Sequence, residues 1–453
     1  MTIFEQSLDL PVPVKALYDW HARPGAFARL SPPWVAVKVV ARQGEGVTPG
    51  NWLKMKMGPS PLPWLARHRA EIPEQIFVDL QARGPFGYWQ HQHLFEAQAE
   101  GSRLCDRVEY RLPLAPFSRP AQGMIESQLK RMFAYRHRVT ASDLLTHQHY
   151  GKGHSPMKIL ISGASGLIGS ILKPFLSTGG HTVYQLDRHS SSDPHSIYWQ
   201  PRGGEIETEK LEGFDAVIHL AGETVMGRWS ADKKERILKS RVEGTRLLVN
   251  TLSQLKQPPK VFICSSAVGY YGDRGAETLT ETTPAGDGFL AEVCEAWEAE
   301  AARAADAGMR TIMARTGVVL SGKGGALATM LLPFQLGLGG KLGSGKQYMS
   351  WISIDDMIRA FYHCIYTDSL SGPVNFVAPT PLTNARFTES LGRVLHRPTV
   401  FQVPKFALDL AMGESADEML LASARVEPAQ LVSSGFIFQY PDLDSALRHE
   451  LGR

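Results

Sequence analysis

Two kinds of hydrophobic pattern run along this chain, and one gives way to the other near residue 151. From residue 157 to 320, short apolar runs rich in Val and Ile (MKILISG, HTVYQLD, DAVIHLAG, KVFICSS, RTIMARTG) are separated by longer stretches with helical spacing near 168–179, 231–255 and 289–307. Short continuous apolar runs are what strands buried on both faces require. Their alternation with helices predicts an α/β layer structure, a parallel sheet with helices on both faces. The first 150 residues follow another order. Thr2 to Leu10 alternates as an edge strand does, and Pro13 to His21 predicts a short helix with proline near its first turn. Strand-like segments WVAVKVVA, NWLKMKMG, IFVDLQA, YWQHQHLFEA and RLCDRVEYRL follow, then a long helical pattern with Ile125, Leu129, Met132 and Phe133 on one face. Strand, helix, antiparallel strands and a long helix predict an α+β module. Between the two lies Gly151-Lys-Gly-His-Ser-Pro156, small, polar and proline-terminated, which reads as a linker over 151–156.

Length agrees with this division, since 453 residues exceed what one hydrophobic core organises. A composition of 43% hydrophobic and 21% charged residues excludes a disordered or collagen-like chain. Lys and Arg total 48 against 45 Asp and Glu, and a net charge of +3 gives no reason to expect a nucleic-acid or membrane partner. Cys105, Cys264, Cys294 and Cys364 are far apart and without metal-site spacing, so reduced buried thiols are expected. The N-terminus lacks the pattern of a secretory signal, and Ala326 to Leu338 is broken by Pro333, Gln335 and Gly337, too short for a membrane span. A cytoplasmic protein is expected.

The sharpest chemical signal is Gly163-Ala-Ser165-Gly166-Leu167-Ile168-Gly169, which follows the run KILIS and opens a helical pattern. A tight turn, close backbone approach and close helix–strand packing each call for glycine, and the helix N-terminus then offers N–H groups to a pyrophosphate. Asp187 lies 18 positions beyond Gly169, as a dinucleotide fold requires. Its neighbour Arg188 points the other way. A carboxylate there selects NAD through a ribose 2′-OH, whereas a guanidinium pairs with the 2′-phosphate of NADP. With His189 and Ser190 beside Arg188, NADP is the expected cofactor and NAD the alternative.

With GASGLIG, DAVIHLAGE, SSAVGYYGD, GDGFLAEVCEAWE and MSWISIDDM in place, residues 157–453 resemble the extended or atypical short-chain dehydrogenase/reductase superfamily. Within it they are similar to the NAD-dependent epimerase/dehydratase-like "epimerase family" proteins. The resemblance implies a Rossmann-type doubly wound sheet with a small substrate lobe over 157–400, and a family C-terminal extension over 401–453. It implies that Leu220, Ala221 and Gly222 line the cofactor site with Glu223, while His219 is ligand-facing or core. Arg228 and Trp229 lie where a loop would face the nicotinamide. Typical members use a Ser or Thr, a Tyr and a Lys, the Lys lowering the phenol pKa. Here Leu290 and Cys294 stand in the Tyr and Lys positions. Cys294 is expected to be a buried thiol. Ser266 with Tyr270 or Tyr271 is the remaining candidate catalytic set. Arg241 is a candidate for an acidic substrate or cofactor phosphate, and Asp355 and Asp356 are expected to cap a helix.

Residues 1–150 resemble, by pattern and without a catalytic motif, the START-like or polyketide-cyclase superfamily, a helix-grip fold. Such a fold implies a hydrophobic ligand held between sheet and helix, where Trp64, Phe86, Tyr88, Trp89, Phe95 and Tyr110 either line a cavity or form core. His91 and His93 share one strand face, but the sequence places no carboxylate or third histidine beside them, so no metal is expected. The function these features imply is an NAD(P)-dependent oxidoreductase or epimerase acting on a small hydroxy or carbonyl substrate. The alternative is a catalytically silent NAD(P)-binding sensor or interaction protein. Substrate and oligomeric state are left open.

Overall fold

A computed structural model describes residues 1–58, 60, 62–113 and 118–453. The chain divides into two compact units, one built on Met1–Pro156 and the other on Met157–Lys173 and Thr182–Leu451.

The first unit opens with β1 (Thr2–Leu10), α1 (Val14–Ala22) and α2 (Ala26–Arg29). It continues through β2 (Val37–Gln43), β3 (Trp52–Met57), β4 (Trp64–Ile72), β5 (Ile76–Arg83), β6 (Tyr88–Gln98) and β7 (Gly101–Arg111), and ends in α3 (Gln122–Gly151). The sheet is antiparallel in the order β1-β7-β6-β5-β4-β3-β2, so the chain meanders and the first strand returns to pair with the last. On β6 burial alternates residue by residue, and Trp89, His91, His93 and Phe95 face inward. α3 lays Leu129 and Phe133 against Phe4, Trp89, Val108 and Tyr110, with Ile125 and Met132 packed at the margin. Trp64, Phe86, Trp89 and Tyr110 pack on one another, with Trp64 and Trp89 centroids 5.2 Å apart, whereas Phe95 joins a separate cluster with Leu17, Trp20 and Phe77. Tyr88 alternates out of the buried row.

Two features of this interior depart from the sequence reading. First, α3 buries His137 and Asp143 along with its apolar residues, and Asp143 takes a bidentate pair from buried Arg29 at 2.8 and 2.7 Å. Second, His91 and His93 are not alone. Cross-strand register sets Asp79 of β5 opposite His91 and Asp106 of β7 opposite His93, and α3 adds His137. The expectation that no carboxylate or third histidine accompanies the pair is therefore corrected. The reason is long-range register, which spacing within one strand does not reveal.

The second unit contains β8 (Lys158–Ser162), the start of α4 (Gly169–Thr178, whose residues from Pro174 onward group with the first unit), β9 (Thr182–Asp187), β10 (Ser196–Gln200), β11 (Glu205–Ile206), β12 (Ala216–His219), α5 (Ala231–Ser253), β13 (Val261–Ala267), α6 (Phe289–Ala302), β14 (Arg310–Thr316) and β15 (Gly372–Phe376). Sheet order is β11-β10-β9-β8-β12-β13-β14-β15, with every pair parallel except the antiparallel β10–β11 edge. Strand order reverses between β8 and β12, and in open α/β sheets ligands bind at the carboxyl ends of the strands flanking such a switch point. Ile159, Leu160 and Ile161 of β8 and Val217 and Ile218 of β12 are fully buried, as the continuous apolar runs require. All four cysteines are buried and unpaired. Among the described residues no helix is long and apolar enough to cross a membrane.

Candidate dinucleotide site

The glycine-rich loop leaves β8 at the switch point, and its three glycines do different things. Gly163 adopts φ +70°, and a Cβ there would lie 3.0 Å from Ala221 N and from Leu220 C. This glycine lets the loop after β8 touch the loop after β12. A Cβ on Gly169 would lie 2.4 Å from Gly163 O and 2.6 Å from Ala164 Cα, so this glycine lets α4 close on the turn. Gly166 differs, because a Cβ there would meet only Gly163 O, at 3.2 Å, and is otherwise in open space. Ser165, Leu167 and Ile168 complete the turn before α4. Gly166 is the point where a phosphate can approach the backbone closely.

Ser162 joins the two loops. Its Oγ accepts the N–H groups of Leu220 (3.0 Å) and Ala221 (3.2 Å) and lies 2.6 Å from His219 Nδ1. With both lone pairs taken by these hydrogen bonds, the Ser162 hydroxyl donates to Nδ1, so His219 carries its proton on Nε2, 3.1 Å from Thr245 Oγ1. Trp297 Nε1 also donates to Thr245, at 2.9 Å. His219 is fully buried, and burial with the nearby Arg241 lowers its pKa to about 3. Of the two readings of His219, core is the one found. Gly222 is exposed, and a Cβ on it would lie 3.1 Å from the Arg241 guanidinium. Arg241 donates to Glu223 O at 2.9 Å and Ile237 O at 3.1 Å and lies over the Trp297 ring. Arg241 thus braces the loop from beneath. The Glu223 carboxylate pairs with Lys233 at 2.7 Å.

At the end of β9 the Asp187 carboxylate is engaged within the sheet. Its Oδ2 accepts from Gln185 Nε2 at 2.6 Å and from Ser196 Oγ at 2.5 Å, tying β9 to β10. Arg188, His189 and Ser190 are exposed, and among the described residues Arg188 has no hydrogen-bond or ion-pair partner.

The catalytic candidates separate into two groups. Ser266 is buried and donates to Glu298 Oε1 at 2.6 Å. Arg315 forks onto the same carboxylate at 2.9 and 2.8 Å and donates to Tyr271 OH at 3.0 Å. Tyr271 is fully buried, its hydroxyl lies 2.7 Å from Asn375 Oδ1 and 3.0 Å from Thr280 O, and burial raises its pKa to about 12. Ser266 and Tyr271 are thus members of one core network with Glu298, Arg315 and Asn375. Tyr270 is only partly buried, the Arg315 guanidinium lies 3.4 Å from its ring centroid, and its hydroxyl has no protein partner among the described residues. Leu290 packs against Gly269, and the Cys294 thiol faces Ala267 O at 3.7 Å, with burial raising its pKa to about 11. Cys294 is the buried thiol expected.

The C-terminal extension closes over this end of the unit. Glu418 accepts the N–H groups of Phe289 and Leu290 at 3.0 and 2.7 Å, capping α6. Arg228 donates to Leu410 O at 3.2 Å, Ser415 donates to Gly227 O at 2.9 Å, and the Trp229 ring rests on Phe289. Asp355 and Asp356 also anchor this extension. The helix Ile354–Tyr366 is capped by Ser353, while Asp356 accepts from Gln439 N and Tyr440 N at 2.7 and 2.9 Å and Asp355 pairs with His449 at 2.8 Å. Both aspartates lie in the first turn of this helix as expected, where their charge meets the helix dipole, but Ser353 is the cap residue, and both are in addition buried against the extension.

Comparison with known proteins agrees with this geometry. The model of the NAD dependent epimerase/dehydratase family matches residues 159–375, a domain of unknown function (DUF1731) matches 403–450, and the polyketide cyclase / dehydrase and lipid transport family matches 10–136. An epimerase family protein of Mycobacterium leprae is 40% identical over 296 residues, which is 65% of this chain and 96% of the relative. This chain belongs to the epimerase family. The human family member SDR39U1, solved with NADPH, shares 32% identity with TM-score 0.59 over 65% of this chain and 99% of its own. A Corynebacterium glutamicum structure described as a nucleoside-diphosphate sugar epimerase shares 35% identity with TM-score 0.82 over 99% of this chain and 90% of its own. That likeness spans both units, whereas the mycobacterial and human relatives cover about two thirds of the chain. The second unit carries the NAD(P)-type Rossmann fold of its family, and the first is of polyketide-cyclase type.

Proposed function

We propose that this family member is an NADP(H)-dependent oxidoreductase or epimerase acting on a small hydroxy or carbonyl substrate. The observation that carries the choice of cofactor is the state of the β9 end. Asp187 holds one carboxylate oxygen, Oδ2, in the sheet through Gln185 and Ser196, and beside it exposed Arg188 is free to meet a 2′-phosphate. The human relative solved with NADPH supports the same reading. Gly163, Gly166 and Gly169 would hold the pyrophosphate, with the backbone of Leu220, Ala221 and Gly222 forming the opposite wall. A bound nicotinamide supplies or accepts hydride at a carbonyl or carbinol carbon. The Tyr270 hydroxyl is the proton donor in this reading, because Ser266 and Tyr271 have their polar atoms committed to the core. Similarity to a nucleoside-diphosphate sugar epimerase supports including sugar nucleotides among substrates to be tried.

The test is NADPH oxidation by the purified chain across a carbonyl panel, repeated with Tyr270→Phe and Tyr271→Phe. Loss of a general acid costs roughly 10²–10⁴-fold, so Tyr270→Phe should lose at least about 10²-fold in kcat. Tyr271→Phe should lose stability and keep turnover per folded molecule. Equal activity of Tyr270→Phe and wild type removes Tyr270 from the mechanism. A second reading, a silent NADP(H)-binding sensor, is favoured by burial of Ser266, Tyr271 and Cys294. Tight NADPH binding with no turnover on any carbonyl would decide for it.

A further inference from the structure

Inside the grip of the first unit, three imidazoles and two carboxylates meet on rigid elements. His91 Nε2 lies 2.8 Å from Asp106 Oδ1 and His93 Nδ1 lies 3.0 Å from it, while His137 Nε2 lies 2.7 Å from Asp106 Oδ2. On the far side of the first two rings, His91 Nδ1 is 3.8 Å and His93 Nε2 is 3.3 Å from Asp79 Oδ2. Both rings are therefore placed between two carboxylates, and they face each other with centroids 3.8 Å apart.

Counting protons decides what this arrangement suits. A neutral imidazole carries one N–H and one lone pair. In the contacts present, His91 gives its Nε2 proton to Asp106 at 2.8 Å and His93 gives its Nε2 proton to Asp79 at 3.3 Å, which leaves the His93 Nδ1 lone pair facing Asp106 Oδ1 at 3.0 Å without a hydrogen bond. One further proton on His93 would fill that gap at the cost of a buried imidazolium beside the His91 ring. One divalent cation held by Asp79, His91 Nδ1 and His93 Nε2 fills it too, because the His93 proton then moves to Nδ1, facing Asp106, and the cation balances the two carboxylates. The donor spacing fits. Metal–ligand distances of about 2.0–2.2 Å give neighbouring donors about 2.9–3.5 Å apart in octahedral or tetrahedral geometry; His93 to Asp79 at 3.3 Å lies in that range, His91 to Asp79 at 3.8 Å must close by a few tenths of an ångström, and all three donors lie within 4.8 Å of one another. Asp106 then plays the part that carboxylates take behind metal-bound histidines, accepting the distal N–H and fixing tautomer and ring plane. The present His93 Nδ1 contact with Asp106 is short but off the axis of a hydrogen bond; rotation of the ring onto an ion would bring it into line.

We propose that Asp79, His91 and His93 form a two-histidine, one-carboxylate site for a divalent first-row transition-metal ion, with Asp106 as the positioning carboxylate. Such a ligand set leaves coordination positions open. Phe77 stacks on His93 at 4.0 Å and Phe133 meets His91 edge-on at 5.2 Å, closing the apolar sides. Asp79, with 21% of its side chain accessible, is the member that reaches solvent. The open positions lie on that side, where a water or an oxygen donor of a small molecule would complete the shell. The grip of this unit is thereby given a polar, metal-centred floor, and its ligand class shifts from purely hydrophobic molecules to those carrying an oxygen donor.

The test uses the full chain, stripped with a chelator and titrated with Co²⁺. The expected result is one equivalent bound, visible d–d absorption, displacement by Zn²⁺, and two exchangeable, paramagnetically shifted imidazole N–H protons from His91 and His93. Asp79→Asn and His93→Gln should each abolish the one-equivalent step. Asp106→Asn should keep it with roughly 10–100-fold weaker affinity. Should these variants fail to fold, the wild-type spectrum alone still decides. The other candidate cluster, Asp355, His449 and Glu450 in the second unit, holds a single imidazole, so one shifted N–H would place the ion there and overturn the proposal. Absence of a one-equivalent step in the wild type would overturn it as well.

Discussion

Replacing Glu298 by glutamine removes the negative charge around which the core of the second unit is organised at the end of β13. In the native chain this carboxylate receives Ser266 at 2.6 Å and both arms of Arg315 at 2.9 and 2.8 Å, and the Arg315 side chain is only 4% accessible. Glutamine keeps the shape but leaves a guanidinium without a counter-charge in a site that excludes water. Breaking one partner of a buried pair costs about 3–5 kcal/mol. Remaining contacts from Arg315 to Tyr271 OH, Glu281 O and the Tyr270 ring offset part of this, which points to the lower end. At roughly 2 °C per kcal/mol for a unit of this size, the melting transition should fall by about 6 °C. Differential scanning calorimetry is the assay, with the transition of the second unit recognised by its upward shift on adding NADPH. Ser266→Ala is the control, because it removes one hydrogen bond worth about 1 kcal/mol and leaves the ion pair intact. A fall of less than about 2 °C in Glu298→Gln, or equal falls in the two variants, would refute the view that this network is a structural ion pair.

Gly169→Ala should disrupt the cofactor loop, since its Cβ would lie 2.4 Å from Gly163 O. NADPH affinity should fall at least about tenfold by fluorescence titration, with about 1–3 kcal/mol lost from overpacking. Asp143→Ala should destabilise the first unit by about 3–5 kcal/mol in urea denaturation, because it removes the carboxylate that pairs with the buried Arg29. Glu450 is buried, and burial raises its pKa to about 7 from an ordinary 4.5. Between those two values the unfolded chain has lost a proton that the folded chain keeps, so stability should fall as pH rises from about 4.5 to about 7. Glu450→Gln should flatten that slope in urea midpoints measured from pH 5 to 7, and an unchanged slope would remove Glu450 as its source.

The strands and the glycine turn at the switch point were legible because both signals are local. Strands buried on two faces write themselves as KILIS and AVIH, and a phosphate turn writes itself as closely spaced glycines. The α+β order of the first 150 residues was legible for the same reason. The rest depends on partners far away in sequence. Ser266 looked catalytic because it ends a strand at the ligand edge of the sheet, yet Glu298, 32 residues on, turns it into the core. Ser196 across the next strand donates to the Asp187 Oδ2, a contact that spacing along the chain does not reveal. Asp356 carries the local mark of a helix start and bonds Ser353 there, but its carboxylate also accepts backbone N–H groups 83 and 84 residues away, which no local pattern reveals. His91 and His93 could be placed on one face by period two, but Asp79 and Asp106 reach them only through strand register.

The most direct measurement of the cofactor assignment is paired calorimetric titration of NADPH and NADH into the wild type and Arg188→Ala. If exposed Arg188 takes the 2′-phosphate, the wild type should prefer NADPH, and removal of a charge-assisted contact worth about 1.5 kcal/mol should weaken NADPH by about tenfold while leaving NADH unchanged. Preference for NADH in the wild type, or an Arg188→Ala variant that binds both cofactors as the wild type does, would contradict the account.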